Sequence, residues 1–293
     1  MTASSRTPAT VGLKRRKQPL ARRLVQPFVA PFREKQGGAA LDECEHRQVD
    51  CGTCTLEFYL PKPRFGVGPG DPDTVNLDRD ESFPESAGEK RTDHAMVCLG
   101  ASNWNYSRPK FEVTRLLPIP QEPYVTVTAV WQLERVKKGI QLESGNLNQL
   151  EQYLRDDYFA YLESEGGDNW EIRKEIQQDL GAQGRGWSQE EIDDEIAPQL
   201  IAAPASYEVQ TFNGTSWLRY CWAPKKQYPR ALYYSCLITP NTLLTVSFNL
   251  TEMVGSSLEH WWEPLLADAE ALLQGTAVHG AKQLDQTPSP NAG

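Results

Sequence analysis

The sequence predicts a single α+β domain in which an antiparallel β-sheet meander is packed by a C-terminal helix and carries an acidic helical insertion. Three observations predict this class. An Asn213-Gly214 dipeptide lies between two β-rich runs, and this pair tolerates the positive φ angles of a tight hairpin turn. Residues 146–200 change from alternation of period two to a helical period. A last apolar stripe of helical spacing precedes residue 275. We assign residues 50–280 to the domain.

The first half of the domain is predicted to consist mostly of strands. A short strand over residues 55–60 is closed by a proline. Residues 61–93 are rich in proline, glycine and charge, which is typical of a long loop. An apolar strand over residues 95–101 follows. A clean alternation of apolar and polar side chains then predicts a half-buried strand between residues 124 and 133.

The acidic insertion, residues 146–200, is predicted to contain three helices. The apolar face of the first helix has three- and four-residue spacing and consists of Leu147, Leu150, Leu154, Tyr158 and Leu162. Ser188 and Glu191 have the spacing of a capping box, in which two side chains satisfy backbone N–H groups at a helix start. Between residues 143 and 200 the chain has fifteen acidic residues against four basic ones. Most of the negative charge of the domain therefore belongs to this subregion.

The strands after the insertion complete a predicted four-stranded meander. Two apolar runs, joined by a Thr-Pro-Asn turn, follow the hairpin. A helix closes the domain, and a second capping box at Ser256 and Glu259 predicts its start. Pro264 is expected to kink this helix or to lie in its first turn. Gly275 is well placed to end it.

Three segments of the second half resemble the PsbP-like α/β fold, which includes bacterial DcrB-type proteins. They are FNGTSWLRYCW, LLTVSFNL and WWEPLLADAEALL, and the resemblance covers residues 207–278. The shared feature is the order of a hairpin, an antiparallel meander and a terminal Trp- and Leu-rich helix. The resemblance implies a binding module, with no catalytic residues to carry over.

A basic arm precedes an acidic body. The net charge is −9, but residues 1–33 contain eight Lys and Arg and no acidic residue, which leaves −17 on the remainder. Such a body repels phosphates, so we expect it not to bind nucleic acid, whereas contact of the arm with an anionic surface stays open. We predict that the arm, residues 1–45, and the tail, residues 281–293, are disordered.

The arm also bears on where the protein acts. Its apolar stretch LVQPFVAPF is interrupted by glutamine and proline, which argues against a secretory signal. No run of about twenty apolar residues occurs in the chain, so no helix is expected to span a bilayer. We expect a soluble, cytoplasmic protein. The alternative is an organellar one, since an acid-free start with serine and arginine also suits a transit peptide.

Three cysteines and one histidine lie together in the stretch CEHRQVDCGTC. Cys44, His46, Cys51 and Cys54 offer three thiolates and an imidazole, the ligands that tetrahedral zinc prefers. A structural zinc held by these residues is one interpretation. A redox pair at Cys51 and Cys54 is a second, although thioredoxin-type pairs precede a helix and this one precedes a strand. Free thiols are the third, and we favour them. No other cofactor is predicted.

No catalytic motif stands out, so the leading hypothesis is a non-enzymatic protein-binding module of the immunity, chaperone or adaptor type. We expect a basic protein partner to bind the acidic helices, or a groove between the sheet and the terminal helix. The acidic candidates share one short predicted helix and are Glu190, Glu191, Asp193, Asp194 and Glu195.

Three binding candidates belong to the terminal helix, and they also support an alternative hypothesis. They are His260, Trp261 and Trp262. In the alternative, the protein is an enzyme that uses His260 with the carboxylates of Glu259 or Glu263 in a pocket lined by the two tryptophans. A pocket around the imidazole would favour this hypothesis, and a solvent-facing ring would count against it.

Overall fold

The computed structural model describes residues 36–63, 72–83, 95–107, 124–182, 184, 186–224, 230–252 and 258–280. Within these ranges the chain forms eleven strands, four α-helices and two 3₁₀ turns. The strands are β1 (Gln36–Gly37), β2 (Cys44–Asp50), β3 (Thr55–Pro61), β4 (Met96–Ser107), β5 (Tyr124–Arg135), β6 (Ile201–Ala202), β7 (Tyr207–Phe212), β8 (Thr215–Pro224), β9 (Ala231–Thr239), β10 (Thr242–Glu252) and β11 (Ala277–His279). The α-helices are α1 (Leu147–Glu163), α2 (Asp168–Ala182), α3 (Gln189–Ile196) and α4 (Trp262–Leu273), and the 3₁₀ turns are Asp80–Ser82 and Leu258–Trp261.

Most strands belong to one antiparallel sheet, in the order β1-β4-β5-β10-β9-β8-β6, with β7 also paired to β8. In the centre, Val246 of β10 lies opposite Trp131 of β5 on one side and Tyr234 of β9 on the other. The turn between β7 and β8 has positive φ angles at Asn213 (48°) and Gly214 (78°), as a tight hairpin requires. The predicted α+β class, with its meander and C-terminal helix, is confirmed.

One face of this sheet, the inner face, is covered by a second sheet and by α4. The second sheet has three strands in the order β11-β3-β2. The alternation predicted in β5 is confirmed, since the inward side chains of Val125, Val127, Ala129 and Trp131 are fully buried. Phe58 of β3 stacks on Trp131 with ring centroids 5.6 Å apart. Burial of each such large side chain contributes about 1.5–3 kcal/mol, so this aromatic core is a main source of stability.

The opposite face of the large sheet, the outer face, is covered in part by α1. Leu150 and Leu154 of α1 pack with Leu218 of β8 and Leu243 of β10 in a second, smaller hydrophobic cluster. Leu150 and Leu154 belong to the apolar face that the helical spacing predicted. The molecule therefore has three layers, with α1 on one side of the large sheet and the small sheet with α4 on the other.

Helices α2 and α3 extend from α1 and bury few side chains, of which Asn169 is the most informative. Its amide Nδ2 donates to the Ile201 carbonyl oxygen at 2.9 Å, and its Oδ1 accepts from the Ile201 N–H at 2.7 Å. The side chain thus pairs with β6 as a neighbouring backbone would. This contact fastens the start of α2 to the edge of the sheet.

The domain begins at or before Gln36, and the predicted boundaries at residues 45 and 50 are wrong. β1 pairs with β4, and β2 pairs with β3 along its whole length. Val49 of β2 is fully buried. The predictions failed here because polar and charged residues dominate β2, so it has little apolar alternation to recognise.

The predicted long loop, residues 61–93, is described at residues 61–63 and 72–83, and the second of these segments is packed against the domain. The side chains of Val75, Leu77 and Phe83 are buried there. Three apolar residues separated by polar and charged ones give no periodic signal, so the composition alone indicated a loop. The backbone is nevertheless held, because the Val75 N–H donates to the Asp50 carbonyl oxygen at 2.8 Å.

The terminal helix α4 follows a 3₁₀ turn, and Pro264 lies in its first turn, which was one of the two expectations for this residue. The helix ends just before Gly275, as predicted. The predicted cap residue Ser256 lies outside the described residues, as does the disorder predicted for residues 1–35 and 281–293. Within the described part of the chain, no helix combines the length and the apolar composition needed to cross a membrane.

Candidate functional site

A groove of about 450 Å³ lies between α1 and the outer face of the large sheet. Side chains of β5, β8, β9 and β10 form its floor, and side chains of α1 with Asp168 of α2 form its wall. A cavity of this volume is large enough for a small ligand or for one long side chain of a partner. We refer to it as the outer groove.

The sequence of β10 explains why α1 does not seal this part of the sheet. Its outward side chains change from Leu243, which packs under α1, to Thr245, Ser247 and Asn249, which line the outer groove. Burial of polar side chains under an apolar helix face stabilises the fold little, because they lose hydrogen bonds to water. Close packing between α1 and the sheet is therefore concentrated at the apolar end, and the polar end forms the floor of a cavity.

Tyrosine rings give the outer groove an aromatic wall. Tyr220 stacks on Tyr233 with ring centroids 5.2 Å apart, and Tyr158 of α1 meets both rings edge-on at 5.8 and 6.4 Å. Behind them, the ring centroids of Tyr207 and Tyr220 are 4.9 Å apart, and Cζ of the Arg155 guanidinium lies 4.6 Å from the centroid of the Tyr207 ring. Because these rings hold one another in place, the tyrosine side chains lose little conformational entropy when a ligand packs on them.

Hydroxyl groups form a hydrogen-bonded chain next to these rings. The Tyr220 hydroxyl lies 3.1 Å from Ser235 Oγ, which lies 3.0 Å from Thr245 Oγ1. The Tyr158 hydroxyl also hydrogen-bonds to Tyr220. Burial raises the pKa of Tyr158 and of Tyr220 well above the ordinary value, and the charge of Glu134 adds to this effect. Both hydroxyls therefore stay protonated and serve as hydrogen-bonding groups, not as bases.

Three carboxylates line the outer groove, those of Glu134, Asp157 and Asp168. Glu134 accepts a hydrogen bond from a side-chain amide at 2.7 Å, and Asp168 accepts one from a tyrosine hydroxyl at 3.1 Å. The buried Asp157 forms a salt bridge with Lys137 Nζ at 2.9 Å, which offsets one negative charge. Among the described residues, the lining includes no lysine, arginine or histidine. The outer groove is therefore a negatively charged, aromatic cavity.

The acidic residues predicted as a binding surface lie on α3 and do not line the outer groove. All five are exposed: Glu190, Glu191, Asp193, Asp194 and Glu195. Glu191 has a structural role, because it completes the predicted capping box. Its carboxylate accepts a hydrogen bond from the Ser188 N–H at 2.9 Å, and its own N–H donates one to Ser188 Oγ at 3.3 Å. The other four are available as surface charges.

The candidates at the terminal helix do not form a site together. Trp261 is a core residue, with 1% of its surface exposed and its ring stacked on Tyr106 at 5.7 Å. Trp262 is partly buried and packs against the same core, whereas His260 is exposed. The aromatic pocket predicted around the imidazole is therefore not formed by Trp261. Between the sheet and the terminal helix, where a groove was predicted, leucine side chains of α4 such as Leu265 pack into the core.

The predicted zinc ligands are divided between the two ends of the β2–β3 hairpin. Cys51 and Cys54 flank its turn, whereas Cys44 lies opposite Pro61 at the far end. Cys51 lies seven residue steps of mostly extended chain after Cys44, which corresponds to roughly 23 Å. His46 lies between, with its ring 5.1 Å from that of Tyr59. The four residues therefore do not meet, and no group of three metal-ligating side chains suited to a metal ion occurs within the described ranges.

Sequence reasoning missed the outer groove because its residues belong to distant parts of the chain. Glu134 stands at an outward strand position, where a charged residue usually faces solvent. A signal was nevertheless present in the meander. The outward positions of β8 and β9 carry Tyr220 and Tyr233, and large aromatic side chains on a face that also bears polar residues indicate a covered or ligand-binding surface.

No protein-family model fits the chain, and no curated protein is significantly similar to it.

Proposed function

We propose that the protein is a non-enzymatic binding module, and that the outer groove receives a lysine or arginine side chain from a basic segment of a protein partner. The observation that carries this proposal is the combination of tyrosine rings with carboxylates in a groove whose lining, as far as the structure describes it, has no basic side chain. Tyrosine faces and carboxylates attract the same kind of group, a cation on an apolar stem.

Each part of such a side chain finds a complementary surface. Val130 and Leu154 line the groove and would contact the methylene stem. The cationic head would lie within about 6 Å of the rings of Tyr158 and Tyr233, where cation–π attraction is effective. It would also donate hydrogen bonds to the carboxylate of Glu134. A hydrogen bond to a charged group contributes about 1.5–3 kcal/mol, which makes this contact the main source of specificity.

The charge on α3 supports a protein segment, and not a small free cation, as the ligand. This helix is eight residues long, has five acidic residues and no basic one, and exposes all five. Such a surface attracts an extended basic segment over a distance and raises the rate of encounter. An adaptor, chaperone or immunity role is compatible with this mode of binding. The cytoplasmic location and the PsbP-like resemblance, both predicted from the sequence, are also compatible with such a role.

Isothermal titration calorimetry with a synthetic lysine-rich peptide tests the proposal. We expect the substitution Glu134→Gln, which keeps the shape of the side chain and removes its charge, to weaken binding about tenfold or more. The matched control is Glu175→Gln on the exposed side of α2, which makes the same change in net charge away from the groove. We expect the control to weaken binding less than about twofold, as is usual for an exposed charge.

A second peptide separates specific binding from general attraction. Acetylation of the lysines removes the cation but keeps the stem, so the acetylated peptide should not bind the wild-type protein. Equal weakening by both substitutions would overturn the assignment to the outer groove, because net charge would then explain the whole effect. Thermal unfolding of each variant establishes that the fold is retained.

A further inference from the structure

Cys51 and Cys54 close the turn of the β2–β3 hairpin, one position beyond the last residue pair of the two strands. The Cys51 N–H donates to the Cys54 carbonyl oxygen at 2.8 Å. Residues opposed in this way across an antiparallel pair have Cα atoms about 5.5 Å apart. Disulfides need a separation of about 4.4–6.8 Å. The backbone therefore already has the spacing of a disulfide.

The two thiols are also in contact. Cys51 donates a hydrogen bond to the Cys54 sulfur, which raises the pKa of Cys51 and lowers that of Cys54; burial adds to the first shift and opposes the second. Cys54 is therefore the thiol that more readily forms a thiolate, the reactive species in thiol–disulfide exchange. Cys236 of β9 lies nearby, but burial raises its pKa and keeps it protonated.

We propose that Cys51 and Cys54 are a redox modification site, which forms a reversible disulfide across the hairpin turn when a low-molecular-weight disulfide is the oxidant. The Cys54 thiolate attacks one sulfur of the oxidant, which forms a mixed disulfide and releases a thiolate. Cys51 then loses its proton and attacks the Cys54 sulfur, which releases the second thiolate. The two protein thiols are oxidised to one disulfide, the oxidant is reduced to two thiols, and the two protons pass to the released thiolates.

Local opening of the turn gives the oxidant access. Both cysteines are buried, but the two residues between them are exposed. The end of a hairpin opens at a much smaller free-energy cost than the whole domain. Cys98 is exposed and serves as an internal reference for reagent access. The site belongs to the small sheet on the inner face, so it does not depend on the function of the outer groove.

The test is to equilibrate the full chain with defined mixtures of oxidised and reduced glutathione. Remaining thiols are then alkylated with a maleimide after acid quenching, and peptides are mapped by mass spectrometry. We expect the peptide that contains both Cys51 and Cys54 to lose the mass of two hydrogen atoms and to take up no maleimide. Dithiothreitol should restore two reactive thiols. The variant Cys51→Ser should retain glutathione on Cys54, whereas Cys98→Ser should behave like the wild type at the hairpin.

Two outcomes would overturn the proposal. In one, the hairpin peptide still takes up two maleimides at glutathione ratios that fully modify Cys98. In the other, the cysteine that forms a disulfide with Cys54 is Cys236 and not Cys51. Both are measured on the wild-type chain, so the test stays decisive even if a serine variant fails to fold.

Discussion

Asp268 is a partly buried acid that joins the two ends of the domain. Its carboxylate accepts from the Tyr106 hydroxyl at 2.6 Å and from the Ala39 N–H at 2.8 Å. Burial raises the pKa of Asp268 above its ordinary value of 3.8, and the two hydrogen bonds oppose this shift without cancelling it. The segment between β1 and β2 is thus held to α4 by a group whose charged form is disfavoured by its surroundings.

The raised pKa of Asp268 predicts a component of stability that depends on pH. The folded protein binds the proton of the Asp268 carboxyl more tightly than the unfolded chain does. The resulting contribution to the free energy of unfolding is therefore complete below pH 3.8 and is lost as the pH rises through the raised pKa. Asp268→Asn is neutral at every pH and should remove this component. Between pH 3.8 and the raised value, we expect the free energy of unfolding of the variant, measured with urea at a series of pH values, to fall less steeply with pH than that of the wild type. Glu263→Gln, at an exposed position of α4, should keep the wild-type slope, and equal slopes for Asp268→Asn and wild type would contradict the prediction.

At the scale of elements, α2 and α3 are attached to the domain largely through polar contacts. Their buried side chains are few, and Asn169 provides two hydrogen bonds to the backbone of β6. Arg173 adds a salt bridge to Glu163 at the end of α1, with 2.8 Å between the charged atoms. A helical pair with so little apolar burial depends on such polar contacts for its position, and it is expected to open before the sheet does.

Asn169→Ala should release α2 and α3 from the sheet without unfolding it. The substitution leaves the N–H and the carbonyl oxygen of Ile201 without these partners, which costs about 1–3 kcal/mol for each group that stays buried. Hydrogen exchange followed by mass spectrometry should show faster exchange in α2 and α3 and unchanged exchange in β5 and β10. Gln178→Ala, at an exposed position of α2, is the control. Uniformly faster exchange over the whole domain would show that the attachment is not local.

At the scale of the whole molecule, the layers separate the main hydrophobic core from the surface that we propose binds a partner. The inner face holds the aromatic core and the small sheet, while the outer face holds the outer groove and the acidic helices. The charged helix α3 and the outer groove, which we propose attract and hold a partner, are therefore separate, because no residue of α3 lines the groove. Neutralising α3 should change the rate of association more than the rate of dissociation.

The kinetic prediction uses four neutralising substitutions on α3 and leaves the capping residue Glu191 in place. They are Glu190→Gln, Asp193→Asn, Asp194→Asn and Glu195→Gln. We expect the association rate constant for a lysine-rich peptide, measured by stopped flow, to fall about tenfold at low ionic strength, and the difference to shrink as salt is added. The control makes an equal charge change at exposed positions outside the groove and α3, namely Asp42, Glu43, Asp78 and Glu81. The same effect from both sets would contradict steering by α3.

The sequence by itself determined the features that depend on neighbouring residues. The Asn213-Gly214 turn, the alternation in β5 and the capping box at Ser188 follow from interactions within a few residues, so the pattern predicts them directly. The α+β class and the helices of the acidic insertion follow from the same local periods. The resemblance to the PsbP-like fold stays a prediction.

The tertiary structure alone decided which residues meet. The outer groove joins Glu134, Tyr158 and Tyr233, which are far apart in the chain, and alternation cannot tell which outward positions another element will cover. Trp261 illustrates the opposite case, since an aromatic residue next to a histidine gives the same local signal whether it lines a site or fills the core. Burial is a property of the whole assembly of elements, because it depends on what packs against a side chain and not on its neighbours in sequence.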